Sequence, residues 1–269
     1  MMKILLLPVL IFFSVSCFYA QQKTVGSESS SFASKSQLKS DTVRAKIPVL
    51  VELFTSEGCP TCPPAERVLA VLQKEQTNPD AEIITLALHV DYWNRGGWTD
   101  EFSSPLYSQR QEIYGDKFKI AAIYTPQMVV DGSRQFIGSN LNQANKVISE
   151  AAKTPKANVE LSESGNNLKI SISDVPKHTD ATVFLAIAED NLSTRVGGGE
   201  NGGRTLEHTS VVRELKPLGR IFAADNKFEL KTVLQLQPDW KRENLKAVVF
   251  IQENQSRKIM GIGRIKIDK

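Results

Sequence analysis

Two cysteines two residues apart, Cys59-Pro60-Thr61-Cys62, are the side chains best suited to chemistry in this 269-residue chain. They follow the apolar run Val49-Leu50-Val51-Glu52-Leu53-Phe54 and precede Ala65, Val68, Leu69 and Leu72, which have helical spacing. A dithiol at a strand-to-helix junction lies at the positive end of the helix dipole, which favours thiolate over thiol. Thiolate is the species that attacks disulfides. Cys59, at the helix entrance, is then the attacking group, and Cys62 resolves the mixed disulfide. A lone pair of cysteines cannot build a four-ligand zinc site. A disulfide across so short a loop is also a poor staple, because the entropic gain grows with loop length.

Other residues bear on this pair. Pro63 and Pro64 directly after Cys62 predict a helix that starts late and a Cys62 less buried than a usual resolving cysteine. Glu57 reads as a solvated turn residue whose charge opposes thiolate formation. The loop His89-Val90-Asp91-Tyr92-Trp93-Asn94-Arg95-Gly96-Gly97-Trp98 ends a strand, where open α/β sheets place their sites. Its aromatics serve either as a substrate rim, with Trp93 foremost, or as a packed cover. His89 itself reads as a buried, hydrogen-bonded strand residue. Five glycines between Val196 and Arg204 lack the Lys and the βα context of a phosphate loop and read as a flexible hairpin loop.

The elements that position these residues come in two textures. Strand patterns at 49–54, 83–90, 127–130 and 135–137 alternate with helical ones near 65–72, 106–113 and 141–152, giving β-α-β-α-β-β-α. The first βαβ predicts a parallel pair, and Asp131-Gly132 predicts a hairpin. After Thr154-Pro155-Lys156, alternating segments at 159–161, 168–172, 181–188, 210–215, 228–236, 247–252 and 261–267 predict an antiparallel β-sandwich. The expected division is therefore an α/β domain over 46–154 and an all-β domain over 155–269.

The N-terminus reads as an export signal over 1–20, with Met1-Met2-Lys3 followed by an apolar stretch from Ile4 to Val15. Cleavage after Ser16 and after Ala20 both fit. Cys17 offers a lipid-anchor position, although Ser14 stands where the usual lipobox has Leu. Residues 21–45, rich in Ser, Lys and Gln, read as a disordered tether. Export implies an oxidising periplasmic or extracellular compartment. With 33 basic and 30 acidic residues and no basic block, nucleic acid is not an expected partner; the stretch from Ile4 to Val15 is too short to span a bilayer, and no later run approaches membrane length.

Residues 48–152 resemble the thioredoxin superfamily. The resemblance rests on the strand–Cys59-Pro60-Thr61-Cys62–helix unit and on Tyr124-Thr125-Pro126-Gln127-Met128-Val129-Val130-Asp131-Gly132. It implies a thioredoxin-like fold with a cis Thr125-Pro126 bond facing the dithiol, Pro126 and Thr125 lining a substrate groove. The whole chain is similar to an uncharacterised family of exported bacterial thioredoxin-like proteins with a C-terminal β domain. Its marks are Phe54-Thr55-Ser56-Glu57-Gly58-Cys59, Cys62-Pro63-Pro64-Ala65-Glu66, His89-Val90-Asp91-Tyr92-Trp93 and Gly199-Glu200-Asn201. This resemblance makes Glu200, Asn201, Arg204 and His208 candidates for a contact reaching across to the dithiol face.

The expected function is thiol–disulfide exchange on protein thiols or disulfides, or with a redox partner protein, without cofactor or metal. Two other readings stay open. One is a copper carrier using both cysteines with His89 or His208 as the third ligand. Copper carriers on this fold generally space the cysteines by three residues and place a histidine near the Thr-Pro turn, whereas here no histidine lies between 90 and 177. The other is a binding module whose disulfide stays oxidised.

Overall fold

β1 (Ile47–Thr55) is apolar apart from Glu52 and the terminal Thr55 because it is buried on both faces inside a sheet. The computed structural model describes residues 45–267. The export signal over 1–20, the tether up to its last residue and the anchor candidate Cys17 lie outside the described residues. From β1 the chain passes through α1 (Pro63–Glu75), β2 (Ala81–His89), α2 (Pro105–Phe118), β3 (Gln127–Val130), β4 (Arg134–Ile137) and α3 (Leu141–Ala151). β2 runs parallel to β1, with Thr55 opposite His89. The strand end that leads into the dithiol turn therefore lies beside His89. β3 pairs antiparallel with the other edge of β1 and turns at Asp131-Gly132 into β4.

The second half continues through β5 (Asn158–Ser164), β6 (Asn167–Ser173), β7 (Ala181–Glu189), β8 (Leu192–Arg195), β9 (Thr205–His208), β10 (Val211–Ile221), β11 (Phe228–Val233), β12 (Leu245–Glu253) and β13 (Ile259–Lys266). The expected split near Pro155 into two separate domains differs from the observed topology. One eight-stranded sheet, ordered β13-β12-β7-β10-β2-β1-β3-β4, takes strands from both halves. β10 meets β2 in parallel at Val211 opposite Ala87, and the Ala87 N–H donates to Ser210 O at 2.8 Å. The physical reason is edge pairing: the outer side of β2 would otherwise leave backbone groups unpaired. A sandwich layer does exist. β11-β6-β5 stacks Leu168, Ile170 and Ile172 against Val183, Leu185, Val249 and Ile251, but the layer beneath it is the shared sheet. The connector is pinned as well. Lys156 Nζ donates to Asp131 Oδ2 at 2.6 Å and to Ile259 O at 2.8 Å.

α1 and α3 cover one face of the first-half strands and α2 covers the other. Of Leu106, Arg110 and Ile113, whose spacing predicts a helix here, only Arg110 is buried; Leu106 and Ile113 are exposed, and the helix buries Tyr107, Arg110, Gln111 and Tyr114. This face reads as polar because it carries a hydrogen-bonded network. Arg110 Nε donates to Glu52 Oε1 and the Tyr114 hydroxyl donates to Glu52 Oε2, both at 2.6 Å. The guanidinium lies 5.5 Å from the Phe184 ring centroid and 5.3 Å from that of Phe250. Tyr107 donates to Val212 O at 2.9 Å. Glu52 belongs to β1, whereas Phe184, Val212 and Phe250 belong to β7, β10 and β12, so α2 straps the two halves together. No helix among the described residues is long and apolar enough to cross a membrane.

Removing one partner of a buried ion pair leaves the other charge stranded. Arg110→Ala is therefore expected to destabilise the fold by about 3–5 kcal/mol, read by chemical denaturation. A loss below about 1 kcal/mol, the range of an exposed pair, would mean that α2 does not carry the junction.

Candidate functional site

The turn between β1 and α1 is closed by Cys59 N–H donating to Ser56 O at 3.1 Å and Cys62 N–H donating to Cys59 O at 3.2 Å. Cys59 and Cys62 form a disulfide. The helix does not start late. Cys62 is its N-cap in a helical conformation, and its carbonyl accepts from Ala65 and Glu66. The two prolines fall at the first helical positions, where no backbone N–H is required. Cys62 is also not more exposed than its partner: both cysteines are fully buried, and only Pro60 and Thr61 of the motif face solvent.

Thr125-Pro126 is a cis peptide, and the Thr61 hydroxyl donates to Thr125 O at 3.4 Å. The Trp93 indole N–H donates to the Thr125 hydroxyl at 2.7 Å. Thus Thr125, Pro126 and Trp93 stand against the exposed edge of the dithiol turn. Trp98 turns the other way and donates to Glu57 Oε2 at 2.7 Å. Both indole donors are spent within the protein, so the aromatic loop is a packed part of the site.

The glycine-rich loop between β8 and β9 closes over this turn. The Asn201 amide donates to Glu57 O at 2.8 Å and to Cys59 O at 2.9 Å, and Arg204 donates to Asn201 Oδ1 at 2.9 Å. Asn201 is fully buried, whereas Glu200 is exposed on the loop's outer side. The glycines have a steric cause. A Cβ on Gly198 would meet Gly97 O at 2.6 Å, and Gly199 has φ +66° with Gly96 O close by. Backbone lies on backbone here, and only glycine fits. A flexible, unengaged hairpin loop is thus not what the structure contains.

Under the turn lies a buried charge cluster. Glu57, expected in solvent, is fully buried. Its backbone N–H donates to Asp100 Oδ2 at 2.9 Å, and its carboxylate approaches His208 Nε2 at 3.2 Å. This is an ion pair without hydrogen-bond alignment. His208 Nδ1 lies 2.6 Å from Glu66 Oε2, and Thr55 donates to the other Glu66 oxygen at 2.9 Å. His89 Nδ1 lies 2.7 Å from Asp100 Oδ2. Burial alone would lower the His208 pKa, but Glu57 and Glu66 on either side reverse this and push it up to about 10. Burial would raise Glu66 and Asp100, and their imidazole partners hold both below the usual carboxylate range. Sequence reasoning missed the burial of Glu57 and the roles of Glu66 and Asp100. The available signal was the excess of acids flanking a dithiol whose chemistry they oppose. Among the described residues, Glu66, His89 and His208 have ligand atoms within 4.8 Å of one another, and neither cysteine joins them.

The family described as "Protein of unknown function (DUF1223)" matches residues 50–252, and the chain belongs to that family. No curated protein matches the chain. The crystal structure of protein AGR_C_4864 from Agrobacterium tumefaciens is similar, with TM-score 0.67 at 23% identity, covering 84% of this chain and 96% of that one. It shares the fold. A domain of the outer membrane lipoprotein Omp28 from Porphyromonas gingivalis aligns with TM-score 0.27 at 14% identity over 42% of this chain and 89% of that one, too slight a likeness to bear on fold or function.

Two outcomes follow from the cluster and its cover. An unfolded histidine titrates near 6.5, whereas folded His208 keeps its proton to about 10. Its contribution to stability is complete below pH 6.5 and is lost as the pH rises through 10. Denaturation midpoints should therefore fall over that interval, and His208→Gln should flatten the fall; an unchanged slope would remove the imidazolium. Asn201→Ala should speed reduction of Cys59–Cys62 by a small phosphine about tenfold, the effect of roughly 1.4 kcal/mol. An unchanged rate would show that Asn201 does not hold the cover down.

Proposed function

We propose that this is an exported thioredoxin-like protein that carries out thiol–disulfide exchange through Cys59 and Cys62. The observation that carries the reading is a disulfide at a strand-to-helix junction, with Thr125-Pro126 and Trp93 beside the exposed Pro60-Thr61 edge of its turn. In the reduced protein the Cys59 thiolate attacks a substrate disulfide, forming a mixed disulfide and releasing one substrate thiolate. Cys62 then attacks Cys59, restoring the intramolecular disulfide and releasing the second substrate thiolate. The substrate is oxidant and is reduced; the dithiol is oxidised. The reverse sequence oxidises a substrate dithiol.

Three features support this direction. Glu57 would oppose a thiolate at Cys59, but the His208 imidazolium offsets its charge. Thr61 holds the Thr125 carbonyl only at 3.4 Å, so an extended substrate backbone can displace it. The partner is then a protein segment laid along Thr125 and Trp93. Full burial of both sulfurs means that the loop bearing Asn201 has to lift before attack. The same burial favours a second reading, a permanently oxidised disulfide in a binding module.

Cysteine variants separate the two. After gentle reduction, Cys59 should alkylate faster than Cys62. Cys59→Ser should abolish exchange with a disulfide peptide, and Cys62→Ser should accumulate a mixed disulfide detectable by mass spectrometry. Equal alkylation with no trapped adduct would favour the inert disulfide.

A further inference from the structure

His89 Nε2 is a fully buried nitrogen that lacks a hydrogen-bond partner among the described residues, whereas the two other such atoms nearby, Glu57 Oε1 and His208 Nε2, face each other as an ion pair at 3.2 Å. Buried polar atoms are rarely left unsatisfied, so the bare His89 nitrogen points to an ion or water. In the same place Glu66, His89 and His208, all buried, bring one donor atom each within 4.8 Å of the others. Two imidazoles and a carboxylate suit a divalent first-row transition ion.

The surroundings match a metal shell. Ligating histidines nearly always have their far nitrogen on a carboxylate or carbonyl. His89 Nδ1 is engaged by Asp100, which in turn accepts from the backbone of Glu57 at 2.9 Å and of Phe102 at 3.0 Å. His208 Nε2 faces Glu57, whose other oxygen is held by Trp98. One nitrogen of each ring remains for the centre, His89 Nε2 and His208 Nδ1. The Phe102 ring lies 5.5 Å from the His89 ring and 5.6 Å from the His208 ring and forms an apolar wall.

We propose that Glu66, His89 and His208 bind a divalent first-row transition-metal ion, Zn2+ by donor type, with Asp100 and Glu57 bracing the two rings. The ion takes the place of the proton between His208 Nδ1 and Glu66 Oε2, now 2.6 Å apart. With metal–ligand bonds of about 2.0–2.1 Å, that gap opens to about 3.3 Å. Glu66 lies on α1, His89 ends β2 and His208 ends β9. The ion therefore ties the loop hairpin to the α/β half. Neither cysteine is a ligand, so this site differs from the dithiol copper reading and does not rest on disulfide exchange.

The test uses the full chain with its disulfide intact, stripped by chelator. Zn2+ is titrated by calorimetry and Co2+ by visible absorption, both into folded protein and during refolding, so that slow entry does not hide a buried site. One equivalent is expected, with a Co2+ d–d band and a raised melting temperature. Glu66→Gln and His89→Gln should each abolish stoichiometric binding. Asp100→Asn should weaken it about tenfold to a hundredfold, and the Cys59→Ser, Cys62→Ser double variant should retain it. Absence of one-to-one binding to the unaltered chain in both regimes overturns the proposal, whatever the variants do. So does binding that survives both Gln substitutions or disappears with the cysteines.

Discussion

His208 held between Glu57 and Glu66 is the contact on which the architecture around the dithiol turns. Burying a carboxylate costs several kcal/mol unless a partner compensates it. Here Glu57, Glu66 and Asp100 are buried within or beside the turn that carries two cysteines. Unpaired, their charge would hold a nearby thiol protonated. Asp100 is paired with His89 nearby, but the imidazolium that compensates Glu57 and Glu66 arrives from the far half of the chain, at the end of β9. The dithiol's electrostatic surroundings are therefore not contained in residues 47–151. They exist only once the second half has folded onto the first.

That requirement explains the topology. β10 pairs with β2 and α2 packs across both halves, which fixes the β8–β9 hairpin above the dithiol turn. The family match runs from β1 into β12 and so spans both the turn and its cover. Gly96, Gly97 and the glycines of 197–203 let two backbones touch, and Asn201 uses that closeness to cap the carbonyls of Glu57 and Cys59. The two neutral hydrogen bonds of Asn201 contribute a few kcal/mol at most to holding this cover.

Much of the first half was legible because its signals are local. Val49 to Phe54 is a mostly apolar run bounded by a turn motif, and Asp131-Gly132 marks the β3–β4 hairpin. The inner face of α2 was not legible, because Arg110, Gln111 and Tyr114 are polar and their burial depends on Glu52 and Gln252, 58 and 142 residues from Arg110. Strand segments after Pro155 were visible from alternation. Their merger with the first sheet was not, because edge pairing leaves no mark in a single strand's pattern. Glu57 failed for the same reason: next to Gly58 it has the local look of a turn residue, and its partner His208 lies far along the chain. Asn201 and His208 were reached through family resemblance, not through spacing.

The central claim is that Cys59–Cys62 is a working couple under a removable cover, and the reduction potential of the full chain tests it most directly. Equilibration with glutathione or dithiothreitol buffers, read by alkylation and mass, gives that potential. The account predicts a value less negative than about −300 mV, within reach of cellular thiol partners. A value below about −300 mV, the range of structural disulfides, would contradict it and leave the disulfide as a fixed part of the fold.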